Sequence, residues 1–150
     1  MNFDIDEEKD RYFNFVINKQ NYVVPISIVE EIIRYQELTS IPETKEYIAG
    51  AINLRGKVII VIDLRIKLGL ETIEVHEKSC IVVLKLNNML LGVLIDKVEE
   101  VVDIPKNNIS PIMEDDKKNY VKNICKIKNN TLFLLNTNNI FFEDNPVKLY

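Results

Sequence analysis

One histidine, two cysteines and four glycines are all that 150 residues contain, and each scarcity removes a class of chemistry. His76 stands in a polar stretch between Val75 and Glu77. A Ser-His-Asp or Cys-His device needs its imidazole held by packed partners, so an exposed linker side chain is the ordinary reading. Zinc takes three or four His or Cys ligands, and His76, Cys80 and Cys125 are scattered, with no CxxC spacing. The cysteines lie in the apolar stretches CIVVLKL and NICKIK and read as reduced, buried small hydrophobes. Glycines at 50, 56, 69 and 92 build neither a GxxxxGK phosphate loop nor a GxGxxG turn. The sequence therefore assigns no catalytic residue, no metal site and no cofactor.

Long apolar runs are missing too. The longest, Val58–Ile62, is far below the roughly 20 residues of a membrane span. The opening MNFDIDEEKDR is acidic and has no signal-peptide core, so a cytoplasmic protein is expected. The formal net charge is only −4, with both signs interspersed, which disfavours a polyanion as the main ligand. The acidic run MEDDKK, ending at Lys118, reads as a solvated loop.

What the chain does contain is a repeat. YVVPISIVEEIIRYQELTSIP resembles MLLGVLIDKVEEVVDIPKNNISPI, with Val29-Glu30-Glu31-Ile32 falling on Val98-Glu99-Glu100-Val101. Ser27 and Asp96 precede these tetrads, with Glu30 and Glu99 three residues later. That spacing is a capping-box signature and predicts a helical turn at an equivalent place in each half. Downstream, YIAGAINLRGKVIIVIDL aligns with YVKNICKIKNNTLFLLNT, pairing Tyr47 with Tyr120 and Val61 with Leu134. In each, two apolar arms flank a three-residue turn, RGK or KNN. Both halves open on a hairpin, around Asn18–Asn21 and around Asn87-Asn88, where asparagine tolerates positive φ. Phe13, Phe15 and Ile17 alternate as the buried face of a strand.

About five short strands and a helical turn per half predict a mainly β fold of two small five-stranded barrels sharing an interface, since closure removes exposed sheet edges. The repeats span about 12–70 and 79–143, with a linker at about 71–78, within one domain of 150 residues. The terminal strands are free either to stay in their own barrel or to cross to the other.

Small barrels also bind single-stranded nucleic acid, through exposed aromatics and a basic groove. Here Phe13, Phe15 and Phe133 occupy alternating, core-like positions, and Lys126 and Lys128 form a pair rather than a stripe. That alternative is kept in second place. The stronger candidate is a protein-recognition surface at Arg55, in the tightest part of the RGK turn, where Lys128 stands in the other half. Arginine presents a planar fork of donors suited to a carboxylate or a carbonyl. Glu31 has a double reading: an exposed charge on a turn, or a charge displayed beside apolar Val29 and Ile32.

VEEI at 29–32, IP at 41–42, YIAGAINLRGKVIIVIDLRIKLGL at 47–70 and GVLIDKVEEV at 92–101 resemble the CheW family of bacterial chemotaxis coupling proteins. The similarity runs from about residue 12 to residue 143. It implies a non-enzymatic adaptor of two SH3-like five-stranded β-barrel subdomains. Such an adaptor links the cytoplasmic tips of methyl-accepting chemoreceptors to the regulatory domain of the histidine kinase CheA. No nucleic-acid partner is implied, and membrane association comes only through receptors, in arrays at the inner face of the membrane. Carried over by motif, the receptor-binding residues are Val29, Glu31, Ile32, Asn53, Leu54, Arg55 and Gly56, and the kinase-binding residues are Leu38 and Gly56. The length leaves no room for the additional domains of CheV or CheA, so a standalone member is expected. Two positions depart from the family pattern. Ile60 stands where a proline is common, and its free amide predicts a more regular strand. Asn123 stands where glycine is usual, and asparagine can take up the same positive φ.

Overall fold

Four tight turns organise the strands. The computed structural model describes residues 9–71, 74–112 and 120–142, which excludes the MEDDKK run, part of the linker and both termini. Asn18-Lys19 and Asn87-Asn88 all have positive φ, the backbone that lets a two-residue turn follow the twist of its strands. They join β1 (Lys9–Ile17) to β2 (Gln20–Pro25) and β6 (Cys80–Leu86) to β7 (Met89–Ile95). The expected RGK and KNN turns are also two residues long. Arg55-Gly56 connects β4 (Ile48–Leu54) to β5 (Lys57–Asp63), and Lys128-Asn129 connects β10 (Val121–Ile127) to β11 (Asn130–Leu135). Leu54 pairs with Lys57 and Ile127 with Asn130, so the third residue of each expected turn already belongs to a strand.

The predicted helical turns at 29–32 and 98–101 do not form. Both segments are strands, β3 (Val29–Arg34) and β8 (Lys97–Pro105). The capping pattern loses to β-branched Val29, Ile32, Ile33, Val98, Val101 and Val102, which favour extended backbone once a partner strand is present. β3 finds β6, and β8 finds β1. Short 3-10 turns occur instead at Ile26–Ile28 and Lys106–Asn108, directly after Pro25 and Pro105 and without side-chain caps. These places are not equivalent in the repeat, because the first precedes β3 and the second follows β8.

Each half lends its opening hairpin to the other. One sheet has the order β8-β1-β2-β11-β10-β9, where β9 is Ile109–Pro111, and the second has the order β3-β6-β7-β5-β4. The parallel ladders β2–β11 and β5–β7 mark the junctions. In the first sheet the outer strands β8 and β9 are joined by only the three-residue 3-10 turn, which curls the sheet toward closure. In the second, the counterpart of β9 shrinks to one bridge, Thr39–Ala51, so the sheets hold six and five strands rather than five each. The Thr39 segment runs against Gly50, where an added Cβ would lie 2.7 Å from the Thr39 carbonyl oxygen. Gly50 also has φ 153°. Its counterpart Asn123 sits at the matching bulge but does not take up the positive φ open to it, although β9 runs alongside with Pro111 opposite. Ile60, as expected, lies in an unbroken ladder, opposite Ala51 on one side and Leu91 on the other.

The apolar runs lack a polar face because both faces are buried. Phe13, Phe15, Ile17, Ile60, Ile62, Val82, Leu84 and Val93 point into the core shared by the two sheets. Their neighbours fill the separate interiors: Tyr12 and Val23 in one, Ile59, Val61, Ile81 and Val83 in the other. The repeat also shows in the helices. α1 (Leu64–Leu68) follows Asp63, whose amide donates to the Tyr47 carbonyl at 2.8 Å. α2 (Thr137–Phe142) follows Asn136, whose amide donates to the Tyr120 carbonyl at 2.8 Å. The Lys67 ammonium lies 3.9 Å from the Tyr47 ring centre and 5.5 Å from that of Tyr120, a cation–π bridge between the halves. Among the described residues no helix is long and apolar enough to cross a membrane.

One buried ionic cluster ties these parts together. The Arg65 side chain is 3% exposed and donates to Asp96 Oδ1 at 2.9 Å and to Asp63 Oδ1 at 3.2 Å. Asp63 also accepts from the Arg65 amide at 3.0 Å, starting α1. Asp96 accepts from the Asn18 amide at 2.7 Å, so it locks the β1–β2 turn instead of capping a helix. Removing one partner from a buried ionic cluster leaves uncompensated charge, at about 3–5 kcal/mol. Arg65→Ala is therefore expected to lower the melting temperature by about 10 °C, with partial recovery when Asp63→Asn and Asp96→Asn are added. Gly50→Ala, which forces the Thr39 strand away, is expected to cost about 2 kcal/mol or more, read as a lower urea midpoint at unchanged slope.

Candidate partner-binding site

The β4–β5 turn is built by local chemistry. Arg55 and Gly56 have φ 51° and 84°, the two-residue geometry that normally selects Asn-Gly. An arginine in the left-handed region costs roughly 1 kcal/mol. Lys19 and Lys128 adopt the same conformation at other turns, so backbone strain does not by itself single out Arg55. Asn53 does part of the work, accepting the Gly56 amide on its side-chain oxygen at 3.0 Å. Leu54 is half-buried against the interior of the five-stranded sheet.

What distinguishes Arg55 is Glu31. Both terminal guanidinium nitrogens meet the Glu31 carboxylate: Nη1 donates to Oε2 at 3.2 Å and Nη2 donates to Oε1. This fork-to-fork geometry is specific to arginine. The Glu31 hydrogen bond raises the Arg55 pKa further above its ordinary range, with its charge adding to the effect. Glu31 lies on β3 just past a bulge in the β3–β6 register, between Val29 and Glu31. Since β3 and β4 are the outer strands of their sheet, the pair spans the seam where that sheet closes. Arg55 remains mostly exposed while Glu31 is half-buried, so the carboxylate orients the arginine without removing it from solvent.

The remaining residues expected at the receptor site divide by face. Along β3 exposure alternates, with Glu30, Ile32 and Arg34 outward and Val29, Glu31 and Ile33 half-buried. Ile32 is 41% exposed and available to a partner. Val29 packs on the shared core and supports the strand from beneath. Of the residues expected at a kinase surface, Gly56 is at the open turn, with nothing within 4 Å of an added Cβ. Leu38 is half-buried in the sheet interior beside Gly50, near the start of β4 rather than its end. Among the described residues four valines are exposed beyond the expected site residues: Val58, opposite Asn53 in the hairpin, Val75 beside His76, and Val98 and Val101 on β8. The repeat held a signal for the last two, since Val98 and Val101 fall on Val29 and Ile32.

His76 is exposed and engaged locally, its Nδ1 accepting from the Lys78 amide at 3.1 Å. Phe13, Phe15 and Tyr22 stack on one another within the core, with centroids 5.7 and 6.3 Å apart, so they offer no face to a base. The candidate site thus combines an exposed guanidinium oriented by Glu31 with exposed apolar β-branched side chains on a sheet, a chemistry suited to protein recognition.

The CheW-like domain family matches residues 11–144. The chain belongs to that family. It is 30% identical over 141 residues to a chemotaxis protein CheW of Helicobacter pylori, covering 93% of this chain and 86% of that protein. With a chemotaxis protein CheW of Bacillus subtilis the identity is 29% over 127 residues, or 83% and 81% of the two chains. A crystal structure of the scaffolding protein TtCheW from Thermoanaerobacter tengcongensis superposes with a TM-score of 0.85 at 29% identity, over 93% of this chain and 97% of that one. The chain is thus a CheW-like coupling adaptor of chemotaxis signalling, with the expected mainly β fold of two SH3-like subdomains. The nucleic-acid alternative finds no support.

Both cysteines are free and differ in surroundings. Burial pushes the Cys125 thiol up to about 11. Burial also raises Cys80, with Arg34 nearby pulling the other way. Iodoacetamide at pH 8 is accordingly expected to modify Cys80 in the native protein and Cys125 only after unfolding, as resolved by peptide mass mapping with and without urea.

Proposed function

We propose that this chain couples the cytoplasmic tips of chemoreceptors to the regulatory domain of the histidine kinase CheA, catalysing no reaction itself and reaching the membrane only through the receptors. The observation that carries this reading is Arg55 held by Glu31 at the sheet seam, with Ile32 exposed on the same strand as Glu31. An amphipathic helix of a receptor tip meets the apolar side chains, and the arginine fork hydrogen-bonds its polar edge. Asn53 and Gly56 hold the turn that presents the arginine. Leu54 and Val29 support the surface from below. For the kinase, the open turn at Gly56 is the docking point, and Leu38 shapes the adjoining sheet from inside. A second barrel of similar fold meets it end to end, a heterologous contact that extends or closes according to its rotation.

Because Arg55 is exposed, Arg55→Ala is expected to leave the circular dichroism spectrum and melting temperature unchanged while lowering receptor-stimulated kinase activity about tenfold. Ile32→Asp places an unpaired charge in the same contact and is expected to act likewise. It is a cleaner probe than a Val29 substitution, which would disturb the core. Calorimetric titration with the regulatory domain of the cognate CheA should give saturable one-to-one binding to the wild type and to both variants. Full receptor-dependent stimulation by both variants would remove the receptor assignment. Lack of binding at about 100 μM, weaker than roughly −5.5 kcal/mol, would remove the kinase.

A further inference from the structure

A second polar feature adjoins the candidate site and takes no part in it. Where β3 ends, Arg34 pairs with Cys80, the first residue of β6. An open cleft of about 520 Å³ lies here, walled by Arg34, Glu77, Lys78, Cys80, Lys97 and Val98. Three cations thus face one carboxylate, in a chain whose overall charge is −4. Lys97 is drawn to Glu99 at 3.0 Å. Among the described residues Arg34 and Lys78 form no ion pair. With Lys97 offset by Glu99 and Glu77 set against Arg34 and Lys78, the cleft keeps an excess of positive charge, and such an excess around a concave surface focuses a positive potential and raises the local concentration of anions.

The cleft is continuous with the candidate receptor surface. Ile32 and Arg34 are both exposed on β3 and, two residues apart, project from the same face about 7 Å from one another. A helix lying on Ile32 therefore reaches Arg34 within one and a half turns. The partly apolar wall, Val98 and Cys80, suits a segment that carries its charge next to apolar side chains.

We infer that the Arg34–Lys78–Lys97 cleft is a selectivity pocket for an acidic side chain, Asp or Glu, of the partner helix bound along β3. The inference rests on the receptor reading above. Arg34 receives the carboxylate on its planar fork, and Lys78 supplies a mobile second charge. Partner helices with an acid at this register bind; those with a neutral or basic residue there bind less well, because the cations must be desolvated without a counter-charge.

The test uses the full chain, a soluble cytoplasmic fragment of a cognate chemoreceptor, and the variants R34E/K78E and R34Q/K78Q. Arg34 and Lys78 are exposed, so both variants are expected to keep the wild-type melting temperature and kinase-domain binding. Fragment affinity at 50 mM salt is expected to fall at least tenfold for R34E/K78E and less for the glutamine variant. The wild type should lose affinity between 50 and 300 mM salt far more steeply than either variant. The fragment should also slow iodoacetamide modification of Cys80 in the wild type. Equal affinity and equal salt dependence for the wild type and both variants would overturn the pocket and leave the receptor reading standing. No fragment binding by the wild type would overturn both. Sedimentation of the wild type, but not R34E/K78E, with phosphatidylglycerol vesicles, while fragment affinity is unchanged, would assign the cleft to an anionic membrane surface and overturn the proposal.

Discussion

The buried cluster of Asp63, Arg65 and Asp96 is the constraint on which the rest of the structure depends. Arg65 sits in the first turn of α1 and Asp63 at the end of β5, both in the first half of the chain. Asp96 is the single residue between β7 and β8 in the second. Its carboxylate also receives the Asn18 amide, and its own amide donates to the Val16 carbonyl at 2.9 Å. One aspartate therefore fixes the β1–β2 turn, the break between β7 and β8, and the seat of α1. Charges this buried are tolerated only when paired and hydrogen-bonded, so the cluster admits one arrangement of the two halves.

That arrangement lets each central strand serve two cores. Val61 fills the interior of its own sheet while Ile60 and Ile62 face the other sheet. Val23 and its neighbours Tyr22 and Val24 divide in the same way. The exchange of opening hairpins follows the same logic. Neither half can complete a sheet without the other's hairpin, and the parallel β2–β11 and β5–β7 ladders exist only because of the exchange. The result is a rigid body whose outer strands, β3 and β8, display apolar side chains without owing their position to those side chains.

Rigidity is what the candidate site requires. Binding a helix is costly when the receiving surface must first be ordered, and here the display is already set. Arg55 is oriented by Glu31 and its turn is closed by Asn53, while β3 is anchored by its pairing to β6. The same strand displays an exposed apolar side chain at Ile32 and an exposed cation at Arg34, about 7 Å apart on one face. The two halves are alike in backbone and differ in side chain at this turn, since Lys128 occupies the place of Arg55.

Much of this was legible in the residues themselves. Asparagine-centred turns, alternation through Phe13, Phe15 and Ile17, and the doubled layout all express local rules that act wherever such residues occur. The NLRG turn marked the candidate site because turn chemistry accounts for Gly56 but asks for no arginine at position 55. The helical turns expected at 29–32 and 98–101 failed for the complementary reason. Capping is a preference of about 1 kcal/mol and gives way when a neighbouring strand offers a full ladder, and that neighbour was not visible in one dimension. The same holds for Asp96 as acceptor of Arg65, for Glu31 as partner of Arg55, and for the meeting of Arg34 with Lys78 and Lys97. The sequence by itself determined the turns, the strands' apolar character and the repeat, because these depend on neighbours along the chain. Only the tertiary structure decided which hairpin entered which sheet and which charges met, because those outcomes depend on contacts between residues 24 to 111 positions apart.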